Sequence, residues 1–159
     1  MTTFSAVPPH RPPHRTPPLP LRDQTFRLIA PNVPVAARAA RDMVAALLHS
    51  SDRPELADVA RLLVSEVVTN AYRHTIAPRL TLDATVGTSG LLVAVADDDP
   101  GRLPLVQYAR PDEERGRGLA LVDHLASAWG TTWLGGASRA TGKSVWFELR
   151  DKPETDQAL

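Results

Sequence analysis

The sequence contains no cysteine among its 159 residues. This absence excludes disulfide frameworks, thiolate zinc sites, iron–sulfur clusters and thiol catalysis. It permits a reducing compartment, and we expect the protein to be cytoplasmic. An excess of one charge is lacking as well, because 18 basic residues balance 18 acidic residues. The overall charge therefore favours neither a nucleic acid nor an anionic membrane as a direct partner.

Long apolar runs are also missing, since no stretch approaches the ~20 residues that span a bilayer. The N-terminus lacks the apolar segment of a secretory signal, because seven prolines interrupt the first twenty residues. A hydrophobic content of 43% with only 5% aromatic residues suits one modest core. We predict a disordered proline-rich tail at 1–20, one folded domain at 21–150, and a flexible tail at 151–159.

Hydrophobic periodicity predicts the secondary structure of this domain. The predicted strands are 25–30, 80–86, 91–96, 131–134 and 144–150, and the predicted helices are 34–48, 54–74 and 119–129. Asn32 and Asp52 are expected to cap the first two helices, and Gly130 is expected to end the third. The order predicts an α+β layer with helices on one face of a mostly antiparallel, mixed sheet.

The second predicted helix carries the first polar cluster. Its apolar residues fall on one arc at helical spacing: Leu63, Val64, Val67, Val68 and Ala71. Glu66 and Asn70 lie on the border of that arc, one turn apart. Such a pair can point together into a cavity, and it can equally consist of ordinary polar residues at the edge of a core.

Two further clusters follow at the ends of predicted elements. Asp97-Asp98-Asp99-Pro100-Gly101 leaves the strand 91–96, where an acid can read hydrogen-bond donors of a ligand or hold a metal. The alternative is a solvated acidic turn. Gly116-Arg117-Gly118 ends a long loop and precedes the third helix, where backbone N–H groups can receive a phosphate. An ordinary tight turn explains two glycines equally well.

The segment from Gly136 to Ser144 is similar to a phosphate-binding P-loop but differs from it in two ways. Five residues separate its glycines where the motif has four. A strand pattern follows it, whereas a P-loop precedes a helix. We therefore interpret the segment as a hairpin loop, which leaves Lys143 and Ser144 free to reach a phosphate.

Taken together, four segments resemble the GHKL (histidine-kinase-like) ATPases in order and spacing. They are Glu66-x-x-x-Asn70-x-x-x-His74, Val93-x-Val95-x-Asp97-x-x-Pro100, Gly116-x-Gly118-Leu119-x-Leu121-Val122 and Gly142-Lys143-x-Val145-Trp146. Within this superfamily the chain looks most like the stand-alone anti-sigma-factor serine/threonine kinase branch, over about residues 25–150. The resemblance implies a Bergerat-type two-layer sandwich that binds ATP and Mg2+.

The resemblance also implies roles for individual residues. Asn70 matches the magnesium-binding asparagine, and Glu66 matches the acid that polarises the attacking hydroxyl or water. Asp97 matches the aspartate that accepts a hydrogen bond from the adenine amine. Ser144 stands where the family has a hydroxyl near that aspartate. Arg73 and His74, at the end of the same predicted helix as Glu66 and Asn70, are expected beside the phosphates.

The phosphate end of the site is implied by the second glycine cluster. Gly116 and Gly118 match the glycines that approach the phosphates, and the loop 102–115 matches the nucleotide lid. The neighbouring residues Arg115, Arg117 and Leu119 belong to the same predicted cofactor-binding stretch. The chain departs from the Asp-x-Gly-x-Gly pattern of the superfamily, and we expect its acidic, proline-containing turn to alter lid closure or nucleotide affinity.

The implied function is that of a bacterial regulator that transfers the γ-phosphoryl group of ATP to a serine or threonine of an antagonist protein and controls a sigma factor. The expected partners are this anti-sigma-factor antagonist, the sigma factor, or both, without direct contact to nucleic acid or membrane. Two alternatives stay open: an ATP-dependent binding switch without catalysis, and an interaction domain without nucleotide. Homodimer formation is open as well.

Overall fold

The computed structural model describes residues 24–101, 118–135 and 139–152. Its elements are β1 (Gln24–Pro31), α1 (Val35–Ser50), a short 3-10 helix (Pro54–Leu56), α2 (Ala57–His74), β2 (Arg79–Gly87), β3 (Gly90–Asp97), α3 (Gly118–Leu125), β4 (Ala128–Leu134) and β5 (Gly142–Arg150). This succession of strands and helices confirms the predicted order. The predicted tail at 1–20, the predicted lid at 102–115 and most of the tail at 151–159 lie outside the described residues.

The five strands form one sheet in the order β1-β2-β3-β5-β4. Within the described ranges all four strand pairings are antiparallel, so the α+β prediction is confirmed while the expected mixed character is not found. The two central strands, β3 and β5, place Asp97 directly opposite Lys143. This register brings the exit of β3 and the entry of β5 to the same end of the sheet.

The core lies between the helices and one face of the sheet. Alternate strand residues such as Leu82, Val93 and Phe147 point to this face, because successive side chains of a strand point to opposite sides. They pack with apolar residues of α2, among them Leu63 and Val67. The structure is therefore a two-layer sandwich. In the part of the chain that is described, no helix has the length and apolar character needed to cross a membrane.

Both predicted helix caps are wrong. Pro34 occupies the N-cap position of α1, and the Asn32 side chain instead donates from Nδ2 to the Ala77 carbonyl at 2.9 Å. Asp52 has a positive φ of 57° and lies in the turn before the short 3-10 helix, whose N-cap is Arg53 without a side-chain hydrogen bond. Asn32 thus ties the entry of α1 to the segment that precedes β2.

The third helix is shorter than predicted, because it ends at Leu125 and not at Gly130. The Ser127 N–H donates to the Glu148 carbonyl at 2.8 Å, which joins the chain to β5 three residues before the predicted end. Trp129 therefore belongs to β4, and its Nε1 donates back to Asp123 at 2.8 Å. The helical spacing of apolar residues continues past the end of α3, so it does not reveal the change from helix to strand.

Candidate nucleotide-binding site

A pocket opens where α2 passes over the ends of β3 and β5. It is lined by residues from these elements and from the first residue after α2: Val67, Asn70, Ala71, His74, Thr75, Val95, Asp97, Lys143 and Val145. Its walls are largely apolar, and its polar groups converge from both layers. This arrangement is typical of small-ligand sites, in which apolar surfaces bind a ring system and a few polar groups fix its orientation.

The 3.6-residue period of α2 determines which of its residues face the pocket. Asn70 and His74 are one turn apart and therefore lie on the same face. Glu66 lies one turn before Asn70, is half-buried, and is not among the residues that line the pocket. Burial raises the pKa of the Glu66 carboxyl, and the Arg73 guanidinium offsets part of this rise. A carboxyl with a raised pKa is better suited to accept a proton than an ordinary surface glutamate.

The strand side of the pocket contains a buried ion pair. Lys143 Nζ lies 3.0 Å from Asp97 Oδ1, and the two side chains are only 5% and 4% exposed. The same ammonium donates to the Asp99 carbonyl oxygen at 2.6 Å. Gly142 makes this close approach of strands possible, because a Cβ at that position would collide with the Asp97 carbonyl oxygen.

Asp99 connects the exit of β3 to the end of α2. Its carboxylate accepts hydrogen bonds from Thr75 Oγ1 at 3.2 Å, from the Ile76 N–H at 3.2 Å and from the Gly101 N–H at 3.0 Å. Burial opposes its ionisation, but these hydrogen bonds and the charge of Lys143 outweigh burial and lower the pKa of Asp99. The acid that departs from the superfamily pattern is therefore a structural tie and not a solvated turn residue.

Three of the predicted site residues, Asn70, His74 and Asp97, meet at the pocket. Glu66 lies beside it on the same helix. Ser144 does not reach it, because Ser144 pairs with Ala96 and its side chain points to the sheet face opposite to that of Lys143.

Of the remaining predicted residues, Gly118 and Leu119 fall on α3 and Arg73 falls at the end of α2. Gly118 is the first residue of α3, and the Leu119 side chain is buried in the core. Arg73 is exposed near Glu66. Arg115, Gly116 and Arg117 lie outside the described residues.

Sequence reasoning missed Thr75, the pairing of Lys143 with Asp97, and the structural role of Asp99. The sequence indicates a phosphate contact for Lys143, whereas in the structure its ammonium is engaged with Asp97 and Asp99. The signal that was available is the position of Lys143 directly after Gly142, at the start of a strand that has to pair with the strand ending at Asp97.

The residues of the pocket fit a purine nucleotide. The apolar side chains of Val95 and Val145 offer surfaces for a flat ring, and Asp97 offers a hydrogen-bond acceptor for an exocyclic amine. The Asn70 side-chain oxygen suits Mg2+, a hard cation that takes much of its coordination from phosphates and water. Within the described ranges, no three histidine, aspartate or glutamate side chains form a metal cage by themselves.

Comparison with known protein families shows a match over most of the chain. The sequence model of the family described as histidine kinase-like ATPase domain matches residues 30–147, which is more than half of the chain. The matched range includes α2, the strand end at Asp97 and the start of β5. A search of curated proteins found no match.

Proposed function

We propose, from the premise that this chain belongs to the histidine kinase-like ATPase domain family, that it is a cytoplasmic anti-sigma-factor-type serine/threonine kinase of a bacterium. Membership in this family implies ATP binding and a regulatory role. The proposal adds the reaction and the partner: transfer of the γ-phosphoryl group to a serine or threonine of an antagonist protein, and control of a sigma factor through that transfer. It does not involve direct contact with nucleic acid or a membrane.

The observation that supports this proposal best is the convergence of Asn70 and Asp97 on one apolar pocket. Asp97 comes from the sheet and Asn70 comes from the helix layer, so a ligand between them contacts both layers. An elongated molecule with an amine-bearing base at one end and phosphates at the other suits this separation of roles. Glu66 lies one helical turn beyond Asn70, on the side away from His74.

The chemistry assigned to these residues follows from their surroundings. In the proposed reaction the hydroxyl oxygen of the protein substrate attacks the γ-phosphorus, the bond to the oxygen of departing ADP breaks, and the hydroxyl proton passes to Glu66. A raised pKa brings Glu66 closer to the range in which a carboxylate accepts such a proton. The Asn70 side-chain oxygen would hold magnesium, which would supply charge neutralisation at the phosphates.

The proposed roles of Glu66 and Asn70 predict that their variants fail differently. Glu66→Gln removes the proton acceptor but keeps the shape, so we expect ATP binding within about threefold of wild type and a fall in phosphoryl transfer of at least about 100-fold. Asn70→Ala removes the metal ligand, so we expect weaker magnesium-dependent ATP binding. Calorimetric titration measures binding, and labelled ATP with candidate antagonist proteins measures transfer.

The two variants serve as controls for each other, because both residues lie on α2 and both are partly exposed. Equal transfer rates with and without the Glu66 carboxylate would refute its catalytic role. Unchanged magnesium-dependent binding in Asn70→Ala would refute the metal assignment. Thermal melting of both variants shows whether α2 remains folded.

A second candidate function is a switch that binds ATP without transferring phosphate. The turn after Asp97 favours it, because Asp99 ties this turn to Thr75 and Ile76 where the superfamily pattern has glycines. A tied turn restricts movement between the exit of β3 and the end of α2. ATP binding by the wild type, without transfer to any antagonist that binds it, would support the switch over the kinase.

A further inference from the structure

Lys143 is buried at the strand end of the pocket, with 4% of its surface exposed. Lysine is almost never fully buried unless its charge is paired, because an ammonium loses its hydration on burial. Here Asp97 provides the paired charge at 3.0 Å. Since both residues also line the pocket, the ion pair lies at the site of ligand binding and not only inside the core.

Counting donors and acceptors shows what this pair can offer a ligand. An ammonium has three N–H donors. Among the described residues, Lys143 Nζ donates to two acceptors, Asp97 Oδ1 and the Asp99 carbonyl oxygen. Asp97 Oδ1 also accepts from the Asp99 N–H at 2.8 Å, and no described residue donates to Asp97 Oδ2. Within the described part of the chain, one donor of Lys143 and one acceptor of Asp97 are therefore left without a partner on two residues that both line the pocket.

An adenine ring presents the complementary pair on its Watson–Crick edge. Its exocyclic amine is a donor, and the adjacent ring nitrogen N1 is an acceptor. We propose that Lys143 is a second base-reading residue, which donates its third N–H to N1 of adenine while Asp97 accepts from the amine. This inference rests on the proposed function, because it assigns a specificity contact within the same ATP site.

The geometry argues against the phosphate role that the sequence suggested for Lys143. Its ammonium is held at the exit of β3 by one carboxylate and one backbone carbonyl. Asn70, the residue assigned to the phosphate-bound cation, lies across the pocket on α2. A lysine that binds phosphates would leave Asp97 as an unpaired buried charge, which is strongly unfavourable.

The inference is tested with the full-length protein, magnesium, ATP and 1-deaza-ATP, in which C–H replaces N1. We expect the wild type to bind 1-deaza-ATP at least about tenfold more weakly than ATP, since a hydrogen bond from a charged donor is lost. Lys143→Met lacks the donor and is expected to bind the two nucleotides equally. In 7-deaza-ATP the change lies away from N1, so its affinity relative to ATP should be the same in both proteins.

The possible results separate this inference from the proposed function. If the wild type binds ATP and 1-deaza-ATP equally, or if Lys143→Met keeps the wild-type ratio, the base-reading role of Lys143 is refuted while ATP binding stands. If the wild type binds no ATP, the proposed function itself fails. The ratio of the affinities for ATP and 1-deaza-ATP in the wild type can be measured without any variant. If Lys143→Met does not fold, Lys143→Gln replaces it, because glutamine keeps a donor for Asp97. Lys143→Gln should also reduce this ratio.

Discussion

At the scale of single residues, three consecutive carboxylates have three different surroundings. Asp97 lines the pocket and pairs with Lys143, Asp98 is exposed, and Asp99 is buried among hydrogen-bond donors. The three carboxylates are separated because successive side chains at the end of β3 point in different directions. A run of like charges that looks uniform in sequence therefore contains a pocket-lining group, a solvated group and a structural group.

Asp99 leads to a prediction about stability and pH. The lowered pKa of Asp99 means that its ionised form stabilises the fold above its ordinary value of 3.8, and that this contribution is lost as pH falls through the lower folded-state pKa. Asp99→Asn should therefore cost roughly 1–3 kcal/mol of unfolding free energy at pH 7. Urea denaturation between pH 7 and pH 3 measures the difference in unfolding free energy between Asp99→Asn and wild type. This difference should become smaller below about pH 4.

The exposed neighbour supplies the control for this experiment. Asp98→Asn changes the net charge by the same amount but leaves the hydrogen bonds of Asp99 to Thr75, Ile76 and Gly101 in place, so its unfolding free energy should lie within about 0.5 kcal/mol of wild type. A gap between Asp99→Asn and wild type that stays constant down to pH 3 would contradict the tie between Asp99, Thr75 and Ile76.

The residue scale also shows what the sequence could predict of the site. Asn70, His74 and Asp97 were predictable because helix spacing and strand ends fix their positions. The sequence does not show that Lys143 pairs with Asp97 or that Ser144 points away from the pocket, because the register of β5 decides which of two neighbours faces the pocket. A shift of one residue exchanges them, and the sequence of the preceding loop does not determine that register.

At the scale of elements, the bounds of the strands and of the first two helices were predicted to within about three residues, whereas the end of α3 was not. The apolar residues of β2 and β3 alternate or run continuously between turn residues, which marks both strands clearly. The end of α3 could not be predicted, because Trp129 continues the helical spacing while hydrogen bonds to β5 already hold the chain in the sheet. Pairing with β5 therefore determines the structure of this segment, although its local apolar pattern indicates a helix.

The packing of α2 gives a prediction at this scale, from two adjacent leucines. Leu63 is 0% exposed within the core, whereas Leu62 is 39% exposed. Leu63→Ala should lower the unfolding free energy by about 2–5 kcal/mol, because it leaves a cavity between α2 and the sheet. Leu62→Ala should cost less than about 1 kcal/mol. Chemical denaturation measures the unfolding free energy of both variants. Equal losses of unfolding free energy would show that the Leu63 side chain of α2 does not point towards the sheet.

At the scale of the whole molecule, the fold and the proposed site depend on the same packing. Val67 belongs to the core cluster and also lines the pocket, so the helix layer cannot move away from the sheet without changing both. The match to histidine kinase-like ATPase domains over residues 30–147 covers this shared region. The general architecture was predictable from the sequence because the order of elements permits few layer arrangements.

Calorimetric titration of the full chain with ATP and magnesium tests ATP binding at this pocket, using Asp97→Asn and Asp98→Asn as a matched pair. We predict that wild type and Asp98→Asn bind ATP with equal affinity, since Asp98 is exposed and does not line the pocket. Asp97→Asn should bind at least about tenfold more weakly, with a folded state confirmed by circular dichroism. Absence of ATP binding by the wild type, or equal binding by folded Asp97→Asn, would contradict the assignment of this pocket.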